Sequence, residues 1–176
     1  HRWLPPWALK TINARLRDRE AVESVRSELQ TGRLRFLHYL AEIGGLIGHQ
    51  SGVILPATAA WVWLDLSPGE QWRWLWTAME RDINSRDPVW NTYRFPLITP
   101  RVWDALIMVL HDLLPGRTYT IRALVESLEP YVLNDETIES VSEVLREILS
   151  WAGIVTVRDR RFMLTCAGEV MLHGED

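Results

Sequence analysis

The chain has 176 residues, 47% of them hydrophobic and 24% charged, which is enough apolar material for one large or two small cores. Its formal net charge of -4 excludes an overall basic footprint for nucleic acid, and its apolar stretches are shorter than the roughly 20 residues of a membrane span, so no membrane contact is expected. A single cysteine, Cys166, excludes an intramolecular disulfide and a cysteine-rich zinc site and, with no apolar leader at the amino terminus, points to the cytoplasm.

The chain opens with His1-Arg2-Trp3 and no initiator methionine, so a fragment of a longer protein is expected. Pro5-Pro6 begins a first helix through Leu9, Ile12 and Leu16, spaced by three and four residues along one buried face. Asp18 to Glu20 offer a cap for a second helix carrying Val22, Val25 and Leu29, and Thr31-Gly32 ends it. The third helix is predicted over Arg33 to Ile43, with Leu34, Leu37, Leu40 and Ala41 inward and Arg33, Arg35 and His38 directed elsewhere. Glycine stops it, and two short strands around a polar turn lead to a short helix ending at Leu64.

Ser67 as N-cap and Pro68 at the first helical position begin a Trp-rich helix with Trp72, Leu75, Trp76, Met79 and Ile83 on one stripe. Trp74 falls off that stripe, because two residues turn a helix by about 200°. It covers a neighbouring element, lies exposed or binds something. From Ser85 to Pro100 the chain is proline-punctuated and aromatic, with Trp90, Tyr93 and Phe95, and is expected to pack down as a connector. Arg101 to Leu114 is then predicted helical, with Trp103, Leu106, Ile107 and Leu110 inward. Tyr119-Thr120 suits a short strand, Ile121 to Tyr131 a second helix, and Asp135 to Ala152 a long third helix with Ile138, Val141, Val144, Leu145 and Ile148 on its core face. A hairpin around Arg158-Asp159-Arg160 and a helix from Ala167 to His173 close the chain.

One block occurs twice: a helix stopped at Gly-apolar-apolar, a short polar hairpin, and a new helix, over Leu37 to Ala60 and again over Leu145 to Gly168. Gly45 matches Gly153 and Leu55 matches Leu164, which puts a one-residue insertion in the hairpin. Each copy reads as the helix-and-wing half of a winged helix, a helix-turn-helix variant. The expected fold class is mainly α with small β-hairpins: winged-helix units at 1–66 and 101–176, joined at 67–100 by the Trp-rich helix and aromatic connector that set their orientation.

The run Arg33 to Leu40, Gly45-Leu46, Leu55-Pro56-Ala57-Thr58-Ala59-Ala60-Trp61 and Trp63-Leu64 resembles the bacterial helicase-associated winged-helix proteins. In that family a wing strand of the form Leu-Thr-Pro-x-Gly leads into a Trp-Leu pair and a helix. Phe162 to Gly168 looks like a second copy, and the resemblance covers about two thirds of the chain. Pro56 stands where the family has threonine and Cys166 where it often has proline, and no phosphate-binding Gly-x-x-x-x-Gly-Lys-Ser/Thr loop of a motor occurs. The resemblance implies an accessory or regulatory module acting on nucleic acid.

Charge is unevenly spread. Residues 1–50 lean basic, whereas residues 121–150 hold Arg122 and Arg146 against seven acidic side chains. Double-stranded DNA would therefore be met mainly by the first unit, through Arg33, Arg35, His38 and the hairpin residues His49 and Gln50, with Arg158, Arg160 and Arg161 of the second hairpin on a backbone. The alternative for these side chains is an ordinary solvated surface. Lys10 is the sole lysine, and the arginine bias fits bidentate phosphate contacts or GC-rich coding equally. The acidic third helix of the second unit, with Glu136, Glu139 and Glu143, suits a protein partner or self-association, and Trp74 and Trp90 are the tryptophans assigned to such contacts. Trp61, Trp63, Trp72, Trp76, Trp103 and Trp151 are expected in packed interiors. No catalytic triad, cofactor motif or pair of histidines at i, i+4 is present, so neither enzyme activity nor a cofactor or metal is expected.

Overall fold

The computed structural model describes residues 3–16, 19–128, 130–131 and 135–173, and of residues 135–138 the backbone alone. The chain is mainly helical with two small antiparallel sheets. It divides into two compact units, His1–Arg94 and Phe95–Asp176. The stretch 67–100 does not form a separate connector: helix and aromatics as far as Arg94 belong to the first unit.

In the first unit α1 (Pro6–Asn13) starts behind Pro5, as proline at the first turn favours. Where the second helix is expected after a cap at Asp18 to Glu20, residues 19–27 are non-helical and a single 3-10 turn, Glu28–Gln30, follows. Two interactions hold residue 20 out of a helix. Asn13 Nδ2 donates to the Glu20 carbonyl and Asn13 Oδ1 accepts from the Glu20 N–H, both at 2.8 Å. The Glu20 side chain then reaches α2 (Arg33–Ile43), where Oε1 accepts from the N–H groups of Gly32 and Arg33 at 2.9 Å and Oε2 from Leu34 at 3.0 Å. Gly32, at the N-cap, has no side chain to offer, so a remote carboxylate satisfies the open helix end. Val22 and Val25 still pack with Leu9 and Leu34, so their apolar spacing serves burial without a helix.

The buried face of α2 is rotated from the expected one. Leu34, Phe36, His38, Tyr39 and Leu40 are buried, whereas Leu37 is exposed. The aromatic residues win because a second layer covers them: α4 (Pro68–Ile83) and the short α5 (Val89–Thr92). Ser67 and Glu70 form the predicted capping box of α4, and Trp76, Met79 and Ile83 are its buried stripe. Asp82 ties the layer together. Its Oδ1 accepts from Val89 N–H at 2.8 Å, and its Oδ2 accepts from Trp90 N–H at 2.9 Å and from the Tyr39 hydroxyl at 3.0 Å. Trp90 and Tyr93 thereby stand edge-on to Tyr39, each 5.6 Å from it between ring centroids.

After α2 come β1 (Ile47–Gln50) and β2 (Val53–Pro56), joined at Ser51-Gly52, then α3 (Thr58–Leu64). Both turn residues have positive φ, 51° and 77°, the geometry of a tight two-residue hairpin.

The second unit runs α6 (Pro100–His111), β3 (Thr118–Thr120), α7 (Ile121–Leu128), α8 (Asp135–Val144) with a π-helical turn Leu145–Leu149, β4 (Val155–Arg158), β5 (Arg161–Leu164) and α9 (Cys166–His173). Its sheet has the order β3-β5-β4. Trp103, Leu106, Leu110, Leu124, Leu128, Val144, Ile148 and Phe162 form the core.

The two copies of the repeated block correspond without an insertion. Ile47 pairs with Pro56 as Val155 pairs with Leu164. Leu46 N–H donates to Ala41 O and Ile154 N–H to Leu149 O, while Ala57 N–H donates to Leu46 O and Thr165 N–H to Ile154 O. A constant offset of 108 residues relates all of these pairs, so Leu164 corresponds to Pro56, and the sequence match of Leu55 with Leu164 is one residue out of register. That slip exchanges the two faces of a strand.

Candidate functional site

Several residues selected from sequence lie elsewhere than expected. His38 is buried, its side chain 2% exposed, and cannot touch a groove. Trp90, 2% exposed, is core rather than a partner contact, whereas Trp61, expected in the interior, is 64% exposed. Arg33 and Arg35 are half-buried near the start of α2, and Arg35 Nη1 donates to the Leu29 carbonyl at 3.3 Å. The one described residue of α2 that is exposed is Leu37, so this helix offers little to a DNA groove. Trp74 covers a neighbouring element: its Nε1 donates to Gly44 O, at the end of α2, at 2.9 Å. His49 and Gln50 are exposed on β1, and Arg158, Arg160 and Arg161 are exposed around the β4–β5 turn. Glu139 and Glu143 are exposed on α8, while the side chain of Glu136 lies outside the described residues.

Two arrangements in the first unit have chemical content. The first is polar and lies under the hairpin. Glu28, fully buried, accepts from Leu4 N–H at 2.6 Å through Oε2 and from His38 Nδ1 at 2.7 Å through Oε1. One turn further along α2, Glu42 Oε2 accepts from the Tyr93 hydroxyl at 2.6 Å and stands 3.8 Å from His49 Nε2. The ring of Tyr93 meets that of His38 edge-on at 5.5 Å. His38, Glu42 and His49 together bring one ligand atom each within 4.8 Å of one another. A search for histidine pairs overlooks this group, because its helical partner at i+4 is a glutamate and its other histidine arrives from the hairpin.

The second arrangement is apolar and outward. Of the residues of α3 none is buried, and Trp61, Val62 and Leu64 are 64%, 54% and 57% exposed. Val53 and Leu55, both exposed on β2, lie just before it in the chain.

No family model, curated protein or solved structure matches the chain. No helix among the described residues is long and apolar enough to cross a membrane.

Electrostatics separates structural from available groups. Burial pushes the Tyr39 hydroxyl far above its usual value near 10, and the charge and hydrogen bond of Asp82 add to the shift. The Ser67 hydroxyl and N–H hold the exposed Glu70 carboxyl below its ordinary range, as a capping box should. Glu126 raises the Arg122 guanidinium through a 2.7 Å hydrogen bond on the surface of α7. All three are explained by local structure. Arg158, Arg160 and Arg161, by contrast, lie exposed around the second hairpin.

Proposed function

We propose that the chain is a non-enzymatic, cytoplasmic tandem winged-helix module that assembles with a second copy of itself through the apolar face of α3. The observation that carries this reading is the exposure of Trp61, Val62 and Leu64 on a helix with no buried residue. Single exposed apolar residues are ordinary, but a tryptophan and two aliphatics on one short helix form the kind of patch that marks a protein contact. Pairing by a two-fold axis lets one face cover itself, and it is the commonest solution among soluble oligomers. The winged-helix reading is supported in the second unit by the succession helix, strand, helix, helix, hairpin and by the place of β3 beside β5. The first unit shares the helix, hairpin and following helix at the same spacing but has no counterpart of β3 among its described residues. The resemblance to helicase-associated proteins fits an accessory module of this kind.

Sedimentation equilibrium tests the proposal. The wild-type chain should show a monomer–dimer equilibrium, and Trp61→Ser with Leu64→Ser should be monomeric with its urea midpoint little changed. A wild type that stays monomeric at high concentration overturns it, as does a double variant that dimerises equally well.

A second reading, binding to duplex DNA, is favoured by one observation: Arg158, Arg160 and Arg161 surround an exposed hairpin tip. Anisotropy of a labelled random duplex at two salt concentrations tests it. Binding should weaken steeply with salt and be lost when the three arginines are replaced by alanine. Salt-independent or unchanged binding removes this reading.

A further inference from the structure

We infer that the first unit contains a binding site for a divalent transition-metal ion of the zinc class, ligated by His38, Glu42 and His49. The donor set of two imidazoles and one carboxylate is among those that bind zinc, and it leaves a fourth position for water or a partner's side chain. Three features distinguish the group from a chance cluster. His38 and Glu42 are four residues apart on α2 and so share one face, while β1 brings His49 to them. Their ligand atoms lie within 4.8 Å of one another, against about 3.4 Å for neighbouring ligands of a tetrahedral zinc at 2.0–2.1 Å. Closing that gap would fall to His49, which sits on the exposed hairpin with its side chain 29% accessible and already stands 3.8 Å from Glu42 Oε2.

The buried side of the site supplies the independent observation. His38 is enclosed, yet its Nε2 has no hydrogen-bond partner among the described residues. Leaving a buried ring nitrogen unmatched is costly. Its Nδ1 is engaged at 2.7 Å by Glu28, a carboxylate with no solvent exposure that is itself anchored by the N–H of Leu4. This carboxylate–histidine pair fixes the ring, puts the Nδ1 proton on the Glu28 side and leaves the Nε2 lone pair for a metal. The Tyr93 hydroxyl, 2.6 Å from Glu42 Oε2, orients the second ligand in the same way. A bound ion would fasten the hairpin to α2 and withdraw His49 from any phosphate contact. The site involves neither α3 nor the second hairpin, so it stands independently of the assembly and DNA readings.

The test uses the whole chain, stripped with a chelator and exchanged into chelator-free buffer. Titration with zinc against a chromophoric competitor should show one tight equivalent per chain, and cobalt in its place should give the visible absorption of a four-coordinate nitrogen and oxygen site. His49→Ala and Glu42→Gln should each lose that equivalent while keeping the metal-free circular dichroism and urea midpoint, since His49 is exposed and glutamine can still accept from Tyr93. Changing His111 and His173 to alanine should leave zinc binding intact, although their rings are 4.4 Å apart and form the alternative histidine pair. Absence of a stoichiometric zinc overturns the inference. So does binding that survives His49→Ala, or binding that disappears only with the His111 and His173 substitutions.

Discussion

Glu20 shows how much a single side chain can redirect the backbone. Its carboxylate accepts three N–H groups at the start of α2, where Gly32 offers none of its own. Glu20→Ala should cost about 1–2 kcal/mol in urea denaturation, the range of a lost helix cap. Exposed Glu23→Ala, three residues on, should stay within about 0.5 kcal/mol. Tyr39 gives a prediction in pH. Its folded hydroxyl is held far above the unfolded value of about 10, so only the unfolded chain ionises there. The stability this group contributes is complete below pH 10 and falls as the pH rises above it, by up to about 1.4 kcal/mol per pH unit. Urea midpoints measured across the alkaline range should show that fall in the wild type and a shallower one in Tyr39→Phe. None of these roles is legible in sequence. An acidic residue that caps a helix twelve positions away looks like any surface glutamate, and His38 lies on a stretch whose periodicity turns it outward.

At the scale of elements, the repeated block is the part of the fold most legible in sequence. Gly45 and Gly153 end equivalent helices with φ of 68° and 75°, a conformation that costs other residues about 1–2 kcal/mol. The helices after the two hairpins start differently. Thr165 caps α9 with its hydroxyl, which accepts from Gly168 N–H at 2.9 Å and donates to the carbonyls of Gly153 and Ile154, whereas the N-cap of α3 is Ala57, which has no hydroxyl to contribute. The same offset of 108 residues sets Ala60 opposite Gly168. A methyl group at 168 would strike the Ile154 backbone, so α9 sits tight against the root of its hairpin. Gly168→Ala should therefore destabilise by at least about 1–3 kcal/mol in thermal or urea unfolding, through overpacking against backbone that cannot move aside. The reverse change, Ala60→Gly in α3, should cost no more than the roughly 1 kcal/mol of helix propensity. Glycine stops, turn residues and proline starts announce elements because their effect is local. Strand register is less legible: two neighbouring apolar residues, Leu55 and Pro56, compete for one match with Leu164, and only the ladder decides between them.

Over the whole molecule, each unit has its own core and its own sheet. Cutting the chain between Arg94 and Phe95 should yield two pieces that each unfold in one cooperative urea transition, as expected of compact domains of this size. A cut at residue 66, the boundary suggested by the repeat, should leave the first piece unfolded, because it removes Trp76, Met79, Asp82 and Trp90 from the layer over α2. The sequence alone determined the helical class, the paired hairpins, most helix starts and the duplication, since these depend on periodicity, glycine, proline and local caps. Only the tertiary structure decided which aromatic residues are core, why residues 19–27 are not helical, and that His38, Glu42 and His49 meet. The physical reason is the same in each case. Burial, remote capping and ligand geometry depend on what the chain brings alongside a residue, and sequence distance carries no record of that neighbour.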